Sequence, residues 1–74
     1  MAECYLVYYK DNYGNIECEY FGPGRREEAI KYYKQRCLII SQELKDWEKE
    51  EGIYICTWRN ENEIRELYFK VVVI

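Results

Sequence analysis

Arg25–Glu51 reads RREEAIKYYKQRCLIISQELKDWEKEE, the longest stretch of the chain without proline or glycine and the one on which the fold turns. Good helix formers dominate it. Ile30, Tyr33, Cys37, Ile40, Leu44 and Trp47 recur at alternating spacings of three and four, which sets them in one stripe along a helix. Ala29, Tyr32 and Ile39 widen that stripe on one flank. Gly22, Pro23 and Gly24 punctuate the chain just before it, and Gly52 followed by Ile53 suits a Schellman stop, so the pattern predicts one helix over 25–51. About 27 residues of helix span about 40 Å, whereas strands of about seven residues span roughly 23 Å. The helix must then overhang its sheet or bend near Ser41. An overhanging end carrying Leu44 and Trp47 needs a cover, and a second copy of the chain is the simplest one, which makes these two residues the expected homodimer interface.

On either side of the helix the pattern changes to strands. Residues 3–10 and 15–21, rich in Tyr, Val, Ile and Phe, flank Asp11, Asn12, Tyr13 and Gly14. Residues 53–59 and 64–73 flank Asn60, Glu61, Asn62 and Glu63. For the first hairpin a four-residue loop needs only Gly14 in a left-handed conformation and sets Tyr9 opposite Ile16, Val7 opposite Cys18 and Tyr5 opposite Tyr20. A five-residue loop turns Cys4, Leu6 and Tyr8 inward instead; the shorter loop is the preferred reading. In the second hairpin Trp58 faces Arg65, Cys56 faces Leu67 and Tyr54 faces Phe69, with Ile55, Thr57, Glu66 and Tyr68 on the other side. The expected fold is α+β: a single domain over 1–74, hairpin 3–21, helix 25–51 and hairpin 53–73, in ββαββ order. A four-stranded sheet is packed on one face by the long amphipathic helix, and the strands flanking the helix run parallel through a right-handed crossover.

With 74 residues the chain has room for one core, and 49% hydrophobic content with nine tyrosines and two tryptophans is the composition of a folded globular protein. The residues after Met1 hold neither a basic region nor an apolar run of signal-peptide length. The longest apolar run, Cys4–Tyr9, is far below the roughly 20 residues of a membrane span. A cytoplasmic location with reduced thiols is expected. Cys4, Cys18, Cys37 and Cys56 form no Cys-x-x-Cys pair and there is no histidine, so they read as small buried hydrophobes, with no metal and no other cofactor expected.

Histidine is absent and the one serine, Ser41, lies inside the predicted helix, which argues for a non-enzymatic protein. Arg25 and Arg26 behind Gly22–Gly24 are a candidate anion site, although Glu27 and Glu28 follow at once and suit compensation of the helix dipole better. Asp46, Glu48, Glu50 and Glu51 crowd the end of the predicted helix, where the macrodipole disfavours negative charge. They read as an acidic surface for a partner protein with a basic surface, with Tyr8 and Tyr68 as exposed aromatic anchors. Eleven basic against 14 acidic residues give a net charge of -3, which removes general attraction to phosphate and ranks nucleic acid, bound by sheet tyrosines with Arg25 and Arg26, below protein as the ligand. In size, acidity and lack of catalytic groups the chain resembles small phage-encoded inhibitors of host proteins, the anti-CRISPR proteins among them; no single motif carries the likeness. That resemblance implies carboxylates presented in place of phosphates to the nucleic-acid channel of a host protein. A structural or regulatory homodimer without a further ligand is the alternative.

Overall fold

A computed structural model describes all 74 residues. Strands β1 (Glu3–Asp11) and β2 (Ile16–Phe21) precede helix α1 (Arg26–Glu43), and β3 (Glu48–Glu51), β4 (Ile55–Arg59) and β5 (Ile64–Val73) follow it. The strands form one sheet in the order β2-β1-β5-β4-β3 with every neighbouring pair antiparallel. The α+β class and the single helix on one face are as the sequence suggests, but the sheet has five strands and the order is ββαβββ. The extra strand, EKEE at 48–51, lies where the last helical turn was expected. It also changes the crossover: β2 and β4 run in opposite directions, whereas β3, the strand that directly follows the helix and lies at the far edge, shares the direction of β2, as does β5. No helix is long and apolar enough to cross a membrane.

The helix ends at Glu43, where no charge favours its carboxyl end. Its first turn holds Glu27 and Glu28 at the positive pole of the dipole, its last turn holds no basic residue, and the acids of 46–51 lie just beyond. The N–H of Leu44 still donates to the Ile40 carbonyl at 2.8 Å, and that of Trp47 to the Leu44 carbonyl at 3.0 Å, which turns the chain back toward the sheet. Eighteen helical residues span about 27 Å, close to the about 30 Å of a nine-residue strand such as β1. There is no overhang. Leu44 and Trp47 pack, half-buried, against the protein's own core, so the reason for placing a second copy on them falls away. Gly52 ends no helix; its N–H donates to the Ile55 carbonyl at 2.8 Å in the turn between β3 and β4.

The second hairpin has the expected register, with Trp58 opposite Arg65 and Cys56 opposite Leu67, and the Phe69 N–H continues it to the Tyr54 carbonyl at 2.9 Å. The first does not. Tyr9 lies opposite Glu17, Tyr8 opposite Cys18 and Tyr5 opposite Phe21, so the loop is the five residues 11–15 counted from Asp11. Asp11 is the cause: Oδ1 accepts the N–H of Tyr13 at 2.8 Å and of Asn15 at 3.1 Å, while Oδ2 accepts the Asn15 side-chain amide at 2.9 Å. Gly14 at φ 88° closes the turn. The strand that changes face relative to the preferred reading is β2, not β1. Tyr5 and Val7 stay in the core and are joined there by Phe21, and Glu17 and Glu19 turn to the helix side, where Arg36 lies 3.5 Å from Glu17. From the helix, Ala29 and Ile40 are buried, whereas Ile39, expected on the apolar flank, is 44% exposed.

Candidate protein-binding face

One helix covers one side of the sheet, and the core it forms draws only on side chains of that side, so the opposite face carries no other element of the chain. Strand register arranges this outer face in rows. Cys18, Tyr8, Tyr68 and Ile55 lie side by side across β2, β1, β5 and β4; the next row is Ile16, Lys10, Glu66, Thr57 and Glu50. Tyr20, Leu6 and Lys70 form the row on the other side of the tyrosines. Tyr8 and Tyr68 are directly opposed, and their rings stack with centroids 4.8 Å apart and planes 13° from parallel. Each therefore half-buries the other, and neither stands free as an exposed anchor. The Tyr68 hydroxyl donates to Glu66 at 2.6 Å, and that bond, helped by partial burial, pushes the phenol up to about 12. Lys10 sits 5.3 Å above the Tyr68 ring and 3.8 Å from Glu66. The pair is thus held rigid, an arrangement in which aromatic surface is offered to a partner with little further ordering cost.

The four acids read from the sequence do not form one helical set. Glu48 and Glu50 point to the outer face from β3, opposite Arg59 and Thr57. Asp46 lies in the turn before β3, and Glu51 points to the helix side opposite Cys56. Asp46 and Glu48 do share a groove of about 420 Å³ with Arg59, Asn60 and Glu61, of which Glu61 carries no signal in the sequence beyond its place in a turn. Arg59, 3.6 Å from Glu50, is the only cation lining it. One corner of the outer face, where β3 meets the end of β4, is accordingly acidic, while the rows on either side of the tyrosines carry Lys10 with Glu66 and Leu6 with Lys70. Arg25 is engaged elsewhere: its guanidinium binds Glu28 through Nε at 2.9 Å and Nη2 at 2.6 Å and lies 5.3 Å from the centre of the Phe21 ring. Of the candidate anion site only the exposed Arg26 is left without such a partner, which removes the case for a phosphate cradle there.

The helix side holds a cluster that sequence spacing does not reveal. Cys37 on α1 and Cys56 on β4 approach to 3.5 Å between sulfurs, and a carboxylate oxygen of Glu51 on β3 lies with them inside 4.8 Å. Burial, with the Cys37 contact next, pushes the Cys56 thiol up to about 12. Lys49 lies 2.6 Å from Glu51, a contact that raises the ammonium above its usual range. Cys4 is also buried, accepting the Tyr20 hydroxyl at 3.2 Å, but Cys18 is exposed on the outer face, against its reading as a core residue. Comparison of the chain with protein-family models, curated proteins and solved structures finds no match.

Proposed function

We propose that the protein is a non-enzymatic binding module that uses its open sheet face to hold another protein with a basic surface. The observation that carries this reading is the stacked Tyr8–Tyr68 pair on an uncovered face whose β3 corner carries Glu50 in the neighbouring row and, beyond it, Glu48 and the acidic groove at Asp46. Rigid aromatic area beside unlike charge is the composition of an interface centre with a steering rim. Within that class the acidity fits a small inhibitor of the phage type, anti-CRISPR-like, that enters the basic nucleic-acid channel of a host protein in the cytoplasm with carboxylates in place of phosphates. Where that partner is missing, a second copy on the same face is the occupant we expect.

The test is affinity capture from the native host with three variants: the unaltered chain, Tyr68→Ala, and Asp46→Lys with Glu48→Lys and Glu50→Lys. A basic protein held in stoichiometric amount by the first and lost by both others is the expected result. Retention by the charge-reversed chain shows that the acidic corner is only solvated surface. Recovery of RNA or DNA with steep salt sensitivity replaces the reading with nucleic-acid binding, because phosphate contacts release counterions.

A further inference from the structure

We propose that Cys37, Cys56 and Glu51 bind one thiophilic divalent cation of the zinc class. Three elements supply one ligand each: α1 the first thiol, β4 the second, and β3 the carboxylate, with all three ligand atoms inside 4.8 Å of one another. A tetrahedral centre with metal–sulfur bonds of about 2.3 Å and a metal–oxygen bond of about 2.0 Å sets its sulfurs about 3.8 Å apart and each sulfur about 3.5 Å from the oxygen. The observed sulfur separation of 3.5 Å is already within a few tenths of that bite. Small side-chain adjustments complete the set.

Charge and access fit as well. Two thiolates and one carboxylate on a dication leave one negative charge, and the Lys49 ammonium, 2.6 Å from one Glu51 oxygen, balances it while the other oxygen remains for the ion. The three ligands line a cavity of about 400 Å³ together with Tyr33, Leu38 and Lys49, which gives the ion a way in and leaves room for water or an external donor as fourth ligand. An ion here ties the helix to β3 and β4, the half of the sheet to which the helix is least attached: α1 packs chiefly on β1, β5 and β2.

The chain reduced with a phosphine is titrated with Co²⁺ and with Zn²⁺, followed by thiolate-to-cobalt charge-transfer absorption, by native mass spectrometry and by thermal melting. One ion per chain, a charge-transfer band and a raised Tm are expected. Cys37→Ser, which alters a half-buried residue at the cavity wall, and Cys56→Ser should lose all three signals. Glu51→Gln should weaken binding at least tenfold. Cys18→Ser and the outer-face variant Tyr68→Ala should keep them, so that failure here is separate from failure of the binding face. Circular dichroism checks that each variant is folded. Absence of the charge-transfer band at one equivalent overturns the site. So does uptake that survives Cys37→Ser, or a chain that only closes a Cys37–Cys56 disulfide with peroxide and takes no metal when reduced.

Discussion

Trp58 is fully buried, and its indole N–H donates to Ser41 Oγ at 3.2 Å. Ser41→Ala leaves that donor without a partner in the core at a cost of about 1–3 kcal/mol, so the urea midpoint should fall while the denaturant slope stays unchanged. The one serine of the chain is therefore a structural acceptor. Asp11 makes a second prediction. Its carboxyl is held below its ordinary range, first by the Asn15 side-chain amide and then by the N–H groups of Tyr13 and Asn15. Because the folded value is depressed, its contribution is complete above the unfolded value of about 3.9 and is lost as pH falls through the folded one. Urea melts from pH 6 downward should show that loss in the parent, and the Asp11→Asn variant should lack that share of it. These bonds are also why the first register was illegible. The turn residues are plain in the sequence, but which of them the carboxylate captures sets the loop length, and one residue moves Ile16, Cys18 and Tyr20 to the outer face. The second hairpin was legible because two- and four-residue turns at 60–63 give the same pairing.

At the scale of elements, the residues of 44–51 continue the helical spacing, and their helix propensity is good. Tertiary contacts override both. Trp47 is drawn down where its ring meets the Arg65 guanidinium at 5.5 Å, and Arg65 in turn donates to the Tyr9 hydroxyl and to Glu63, each at 3.0 Å. EKEE then pairs with β4, which would otherwise be an edge. The crowd of acids at the negative pole of the dipole was the visible sign of this ending, and the mismatch of helix and strand lengths was a second. Neither tells where the chain goes next, because a four-residue charged strand has no apolar alternation to announce it. Arg65→Met should release Trp47. We expect destabilisation of about 1–3 kcal/mol from the lost hydrogen bonds, together with a red shift of tryptophan emission that comes from Trp47, since Trp58 stays buried. Unchanged emission would mean that Leu44 and the core suffice to hold the turn. The candidate site follows the same division: Tyr8 and Tyr68 were legible as residues of the outer face but not as a stacked pair, which needs the β1–β5 pairing, whereas the acidic set was drawn on a helix that does not exist there, and Cys37 and Cys56 meet only through the packing of α1 on the sheet.

The whole molecule is thin. Its radius of gyration is 12.9 Å, against about 11 Å for a compact chain of this length. Its accessible surface is 5378 Å², against about 4,900 Å² for a typical monomer of the same mass. Only 11 of 74 residues are buried, so one uncovered sheet face is a large share of the surface that a partner can remove from water. The edges are poor routes to self-association. β2 turns Glu17 and Glu19 to the helix side, and β3 is Glu-Lys-Glu-Glu, so an antiparallel copy on either edge sets carboxylate against carboxylate. We therefore expect a second copy to come face to face, over Leu6, Tyr8, Tyr20 and Tyr68, and away from the Leu44 and Trp47 contact that the sequence suggested. Light scattering on a sizing column should give the mass of a dimer at high micromolar concentration and of a monomer on dilution. Leu6→Glu, which places a charge between Tyr20 and Lys70, should hold the chain monomeric with its circular dichroism unchanged. A monomer mass for the unaltered chain at the highest concentration removes the second copy as an occupant and leaves the face to a different protein. A dimer that persists in the Leu6 variant places the contact on another surface, and the capture experiment with Tyr68→Ala then decides whether the outer face binds anything at all.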